Sequence, residues 1–257
     1  MPHFKSRDIT LFYEDVGEGT PLLLLHGLTS NHAMFYREMD FFKKKYRVLA
    51  LDSRGHGRSD KPESYTLDDH IKDAVALINH LELETLYVLG VSMGSYIAQG
   101  VAIALPDRVK KLVLVATKPS GEQSSMAELF DRHEDAFRGL SLVGKLDKSS
   151  EFMFYNQEKV DEWLRKTAEK SDGLTGREQV AASAALKDFD FRSELGKIRA
   201  ETLVISGTHD GLNPPDKGRE TALHIPDATY MEFKRSGHAP NVEQDRLFLG
   251  ITDNFLD

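Results

Sequence analysis

Hydrophobic positions along the chain follow two different periods. Strand-length apolar runs predict buried strands, and residues 3–16 alternate like a hairpin. The six runs lie near residues 21–26, 46–52, 85–91, 109–117, 201–207 and 228–234. Helical periodicity falls between them near residues 32–44, 67–81, 93–104, 214–224 and 241–256. Because strands alternate with helices, we predict an α/β fold: a mostly parallel, eight-stranded sheet with helices on both faces.

The alternation stops between Lys118 and Arg199. This stretch is too long for a plain loop, and no strand is predicted in it. Amphipathic patterns predict helices instead, at Ser125–Arg138, Glu158–Lys170 and Gly176–Lys187. The predicted organisation is a core made of residues 1–117 and 200–257 and a helical insertion made of residues 118–199.

The strongest chemical signal is the Gly-Val-Ser-Met-Gly segment from Gly90 to Gly94. It joins a predicted strand to a predicted helix, so Ser92 is placed at a sharp corner where the two glycines avoid steric collisions. Such a corner strains the serine backbone and presents its hydroxyl at the carboxyl edge of a sheet. Small residues cluster in many loops, but here the flanking elements are the ones the motif requires. We therefore predict that Ser92 is a nucleophile.

A serine nucleophile needs a base and a group that orients the base. Asp210 and His238 each follow the carboxyl end of a predicted strand, which is the sheet edge where Ser92 also lies. Their order along the chain, serine then aspartate then histidine, is that of alpha/beta hydrolases. The sequence therefore predicts His238 as the base and Asp210 as its partner.

Several rival residues have simpler interpretations. His209 adjoins Asp210, but neighbouring side chains in an extended segment point in opposite directions. Asp52 also ends a predicted strand, yet it precedes the serine in the chain. The remaining candidates are predicted to order turns or to end a helix: His26, His56 and His224.

Acyl transfer also requires hydrogen-bond donors for the oxyanion that forms on the carbonyl. We predict the backbone N–H groups of Met93, at the start of its helix, and of Leu28, where Gly27 lets the chain bend towards the site. Thr29 or Ser30 could add a hydroxyl, but we favour a role in capping the helix that begins near residue 32.

These motifs together resemble the alpha/beta-hydrolase superfamily, and most closely its small bacterial esterases and its 3-oxoadipate enol-lactonase group. The matching segments are residues 24–28, 51–62, 90–95, 106–109, 207–210 and 237–238. The resemblance implies that the insertion is a cap over the active site. It also implies a Ser92, Asp210 and His238 triad with Leu28 and Met93 amides in the oxyanion hole. Many relatives carry a glycine at position 95, where this chain has a serine.

Composition narrows the class of protein further. A chain of 257 residues can bury one large core, and a net charge of −8 gives no electrostatic support for a nucleic-acid partner. The absence of cysteine excludes disulfides and thiolate metal sites. The apolar runs are too short to span a membrane, and the first residues lack the apolar stretch of a secretory signal. A cytoplasmic enzyme without membrane partners is expected.

The sequence therefore predicts a serine hydrolase that cleaves a small carboxylic ester or lactone through an acyl-enzyme on Ser92. Neither metal nor organic cofactor is expected, and a homo-oligomer is possible. One alternative is 3-oxoadipate enol-lactonase, whose dicarboxylate-derived substrate would require a cation. The candidate cations are Arg132, Arg138, Lys145 and Lys148. The other alternative is a non-catalytic, ligand-binding relative of the fold.

Overall fold

The computed structural model describes residues 2–170 and 173–257. The strands are β1 (His3–Ser6), β2 (Ile9–Val16), β3 (Thr20–Leu25), β4 (Tyr46–Leu51), β5 (Leu86–Val91), β6 (Val109–Val115), β7 (Ser120–Gly121), β8 (Phe189–Asp190), β9 (Glu201–Gly207) and β10 (Ala228–Phe233). The helices are α1 (Tyr36–Phe42), α2 (Leu67–His80), α3 (Met93–Ala104), α4 (Ser125–Arg132), α5 (Glu134–Phe137), α6 (Leu142–Met153), α7 (Gln157–Ala168), α8 (Gly176–Ala184), α9 (Pro215–His224), α10 (Pro240–Glu243) and α11 (Asp245–Leu256). Within the described ranges no helix is long and apolar enough to cross a membrane.

The main sheet has eight strands in the order β1-β2-β4-β3-β5-β6-β9-β10. Strand β2 runs antiparallel to both of its neighbours, and the remaining pairs are parallel. The predicted fold class is therefore confirmed. Parallel strands place their carboxyl ends at one edge, so the loops after β3, β5, β9 and β10 all emerge on the same side of the sheet.

The central strands bury side chains on both faces of the sheet. In β3, Leu23 and Leu25 pack in one core cluster with α2 and α3, whereas Leu22 and Leu24 pack in the other with α1 and α11. This division follows from the pleat, which turns successive side chains to opposite faces. The apolar run of β3 is thus explained by helices on both sides, as predicted.

The insertion differs from its prediction in three respects. A short antiparallel pair, β7 with β8, occurs where no strand was predicted, because two-residue strands are too short to show a period of two. The pattern predicted for Ser125–Arg138 is divided into α4 and α5 at His133, whose backbone is not helical. Helix α6 was missed, since apolar Leu142 and Val143 at its start are exposed and obscure its amphipathic pattern. The division into core and cap remains a prediction.

Three buried histidines meet where β3, α2 and the loop after β4 come together. The His26 and His56 ring centroids lie 5.1 Å apart, and those of His56 and His70 lie 6.1 Å apart. Burial lowers the pKa of all three imidazoles, that of His56 to about 3, because the charged form would lose its hydration. These side chains are therefore neutral in the folded protein at neutral pH.

We expect the free energy of unfolding to fall as the pH decreases from about 6.5 towards about 3. An unfolded histidine binds a proton below about pH 6.5, whereas these buried imidazoles resist protonation until the pH approaches their lowered pKa values. The unfolded state then binds more protons and is favoured. Urea unfolding at several pH values in this window measures the effect.

Matched variants isolate the histidine contribution to this pH dependence. His70→Leu should flatten the decline, whereas a substitution of the exposed His224, such as His224→Gln, should leave it unchanged. Glu38 acts in the opposite sense: burial raises its pKa to about 7, so its contribution is complete below about pH 4.5 and is lost as the pH rises through 7. Because both variants retain Glu38, the difference between them reports on His70. Equal slopes would contradict the prediction.

Candidate active site

Ser92 lies at the corner between β5 and α3. Its φ is +52° and its ψ is −120°, a strained conformation for a residue other than glycine. A Cβ at Gly90 would lie 2.2 Å from the Gly94 carbonyl oxygen, and one at Gly94 would lie 1.9 Å from that of Leu25. The predicted backbone strain at Ser92 is confirmed, and both glycines are required by close backbone contacts.

A continuous hydrogen-bonded chain joins the three predicted triad residues. His238 Nε2 lies 2.9 Å from Ser92 Oγ, and His238 Nδ1 lies 2.9 Å from Asp210 Oδ2 and 3.1 Å from Oδ1. A carboxylate only accepts, so Nδ1 carries the proton and Nε2 is left to accept from the serine hydroxyl. Asp210 is 3% exposed and His238 is 8% exposed, while Ser92 remains partly accessible.

Asp52, the rival carboxylate, has other partners. Its Oδ1 accepts from His32 Nδ1 at 2.8 Å, and its Oδ2 accepts from the Arg58 backbone at 2.8 Å. Burial by itself would raise the pKa of Asp52, but the hydrogen bonds from His32 and from the Arg58 backbone lower it overall. Asp52 therefore orders the loops beside it and does not contact His238.

The other rival histidines have partners other than Ser92. His26 Nδ1 pairs with the Gly27 carbonyl at 2.8 Å, and its Nε2 accepts from the Ser53 amide at 3.0 Å. His56 Nδ1 lies 2.9 Å from the Arg54 carbonyl oxygen. The His209 ring contacts the Tyr155 ring, and His224 Nδ1 pairs with the Glu220 carbonyl.

Asp210 is held by a buried network that the sequence reasoning missed. Its Oδ1 accepts from the backbone amides of Leu212 and Asn213, both at 2.9 Å. The Asn213 side chain donates to Tyr96 Oη at 2.6 Å, which ties residues 208–214, the aspartate loop, to α3. Burial raises the pKa of Tyr96, so this hydroxyl stays neutral. A sequence signal for this network was the Asp-Gly-Leu-Asn-Pro-Pro turn, which begins at Asp210, three residues after the end of β9.

The predicted oxyanion loop lies against the nucleophile. A Cβ at Gly27 would lie 3.6 Å from Ser92 Cβ, so the backbone passes close to the serine. Met93 is the first residue of α3, and its N–H has no acceptor within the helix.

The capping prediction for Thr29 or Ser30 is wrong. Asn31 caps the 3-10 helix His32–Phe35 that precedes α1, because Thr29 adopts a positive φ of 62° and turns the chain before that helix begins.

Helices of the insertion pack on three loops of the site: the predicted oxyanion loop, the loop that carries Asp210 and the loop that carries His238. Leu28 is a predicted oxyanion residue, Leu212 lies two residues after Asp210 and Ala239 directly follows His238. Each of the three belongs to a separate apolar cluster with the insertion. Their partners are, in turn, Ala181 and Ala182 of α8 with Ala185 directly after it; Leu129, Phe137 and Phe152 near α4 to α6; and Val160 and Trp163 of α7. A shift of the insertion would therefore disturb all three loops.

The four candidate cations of the insertion all have partners. Arg132 donates to the carbonyl oxygens of Gly211 and Leu212, directly after Asp210. The others form surface ion pairs or a ring contact: Arg138 with Glu134 and Asp135, Lys148 with Glu151, and Lys145 over the Phe130 ring. Of the four, Arg132 is the cation that contacts a loop of the site.

An elbow serine, a histidine and a carboxylate at the edge of a mostly parallel sheet are typical of one class of hydrolase. The family model described as alpha/beta hydrolase fold matches residues 20–245. The chain therefore belongs to the alpha/beta-hydrolase family, as the sequence motifs predicted.

Individual relatives match nearly the whole chain. The AB hydrolase superfamily protein YisY of Bacillus subtilis is 32% identical, with 99% of each chain covered. The 3-oxoadipate enol-lactonase 2 of Acinetobacter baylyi is 28% identical, covering 96% of this chain and 94% of that protein. The crystal structure of the enol-lactonase from Burkholderia xenovorans LB400 superposes with a TM-score of 0.83 at 26% identity, covering 99% of both chains.

Proposed function

We propose that this protein is a serine hydrolase that cleaves a small carboxylic ester or lactone through an acyl-enzyme on Ser92. The observation that carries the proposal is the pair of hydrogen bonds from Asp210 through His238 to Ser92 Oγ, on a serine with a φ of +52°. This arrangement activates a hydroxyl that would otherwise be a weak nucleophile.

The proposed reaction has two halves. Ser92 Oγ attacks the substrate carbonyl while His238 Nε2 takes its proton, and the Leu28 and Met93 amides stabilise the oxyanion. His238 then gives this proton to the leaving alcohol, which leaves the acyl group on the serine. A water molecule activated by His238 repeats the sequence and releases the acid. Asp210 holds the imidazole tautomer and stabilises its positive charge throughout.

A second candidate, 3-oxoadipate enol-lactonase activity, is favoured by the name of the Acinetobacter baylyi relative, and the similar Burkholderia xenovorans structure is also named an enol-lactonase. Its substrate would bring a free carboxylate into the site. Arg132 is the cation to test, since its guanidinium is partly exposed and adjoins the Asp210 loop. A screen of p-nitrophenyl esters of increasing acyl length beside neutral and carboxylate-bearing lactones separates the two candidates.

Covalent labelling with a fluorophosphonate tests the nucleophile directly. We expect rapid labelling of the wild-type protein at Ser92, because the probe reacts with a serine whose proton a histidine can accept. Ser92→Ala should abolish labelling, and Ser150→Ala, which changes a partly exposed serine of α6, should not. Peptide mass spectrometry identifies the labelled residue. A folded wild-type protein that is not labelled would favour the ligand-binding relative instead.

A further inference from the structure

A buried carboxylate beside the site receives hydrogen bonds from two separate segments. Glu243, the last residue of α10, is 3% exposed. Its Oε1 accepts from the Gly237 amide at 2.8 Å and the Ala239 amide at 3.4 Å, which flank His238. Its Oε2 accepts from the amides of Tyr155 and Asn156 in the insertion, at 2.8 and 2.7 Å. One side chain thus joins residues 234–239, the histidine loop, to the insertion.

Backbone contacts join the same two segments. The His238 amide donates to the Met153 carbonyl at 2.6 Å, and the Gly211 amide donates to the Phe152 carbonyl at 2.9 Å. A Cβ at Gly237 would lie 2.1 Å from the Met153 carbonyl oxygen, so the two backbones are in direct contact. Residues 152–156 therefore border both the aspartate loop and the histidine loop.

We infer that Glu243 is a positioning residue for His238, and that through it the insertion controls where the imidazole lies. This inference rests on the proposed hydrolase activity. Glu243 does not contact Ser92 or Asp210; it fixes the backbone on either side of His238. Proton transfer depends on the 2.9 Å separation of His238 Nε2 and Ser92 Oγ, so a small shift of this loop lengthens the bond that activates the serine.

Only a carboxylate of this length suits the position. Two oxygens face two pairs of amide N–H groups, and bonds to a charged acceptor are stronger than neutral ones. A glutamine would keep one acceptor and place its own NH2 group against the other pair of amides. Lys159 of α7 adds a further link, donating to the Glu243 carbonyl oxygen at 3.0 Å.

The test compares Glu243→Gln with Glu232→Gln, the same chemical change at a partly buried glutamate of β10. Glu232 bonds to the side chains of Thr208 and Arg219, not to the histidine loop. With an ester that the wild-type protein cleaves, we expect Glu243→Gln to lower kcat per folded molecule by roughly 100-fold, the scale of a displacement of about 1 Å. Glu232→Gln should retain the wild-type kcat.

A second readout separates positioning from a purely structural role. The far-downfield proton resonance of the His238 Nδ1–H reports on its bond to Asp210, and we expect it to shift or broaden in Glu243→Gln and to stay unchanged in Glu232→Gln. Circular dichroism establishes the folded fraction of each variant. Glu243→Asp, which keeps the charge but is one methylene shorter, should also lower kcat, by less than Glu243→Gln.

The possible outcomes are distinct. An unchanged kcat and an unchanged resonance in folded Glu243→Gln would overturn the inference. Failure of both Glu243 variants to fold would overturn it as well, since the residue would then be required for structure. If the wild-type protein itself is neither labelled nor active, the proposed function fails, and the resonance of His238 alone still decides whether Glu243 positions this imidazole.

Discussion

Replacing Ser92 with alanine is expected to lower kcat by about 10⁶-fold, the scale found when the nucleophile of a serine hydrolase is removed. The fold should be unaffected, because alanine removes one hydroxyl and relies on the same flanking glycines. Activity that remains would come from substrate binding and from the oxyanion amides of Leu28 and Met93. Steady-state kinetics with an ester found in the screen, beside circular dichroism, measure both quantities.

The combination of Ser92→Ala with His238→Ala provides the control. The two side chains act on one proton, so the double variant should lose no more activity than either single variant. Losses that multiply would indicate that the residues act independently, which contradicts the proposed relay.

Asp210→Asn is expected to lower kcat by about 10⁴-fold while the protein stays folded. The new carbonyl oxygen can still accept from the Leu212 and Asn213 amides, so the loop keeps its anchors. The amide nitrogen, however, would face His238 Nδ1 as a donor. The imidazole would then favour the tautomer with its proton on Nε2, which cannot accept from the serine.

The matched control is Asp52→Asn. Asp52 is equally buried, but it bonds to His32 and to backbone amides and not to His238. We expect this variant to lose stability in urea and to retain most of its kcat. A folded Asp52→Asn protein with the larger catalytic loss would mean that Asp52 and not Asp210 is the acid.

Much of the fold was predictable because its signals are local. The apolar run of β3 and the glycine pair around Ser92 specify a buried strand and a strand-to-helix corner within a few residues. Parallel strands bring their carboxyl ends to one edge, which places Asp210 and His238 on the side of Ser92. Their order along the chain then selected them from several rivals. The predicted element bounds near these residues agree with the structure to within one or two positions.

The insertion was less predictable for a physical reason. Its helices bury narrow faces, and α6 exposes Leu142 and Val143, so periodicity there is weak. The β7–β8 pair joins residues about seventy positions apart and leaves no local pattern. Likewise the true cap at Asn31 depends on the positive φ of Thr29, which the sequence does not reveal.

The sequence by itself determined the sheet, the elbow at Ser92 and the identity of the residues at the carboxyl edge of the sheet. Each of these depends on contacts between near neighbours or on the rules of parallel sheets. Only the tertiary structure decided how those residues are held. Asn213 reaches Tyr96 across 117 positions, and Glu243 reaches Tyr155 across 88. A polar side chain in the sequence gives no sign of which distant backbone it meets, since that partner is fixed only when the apolar core brings the segments together.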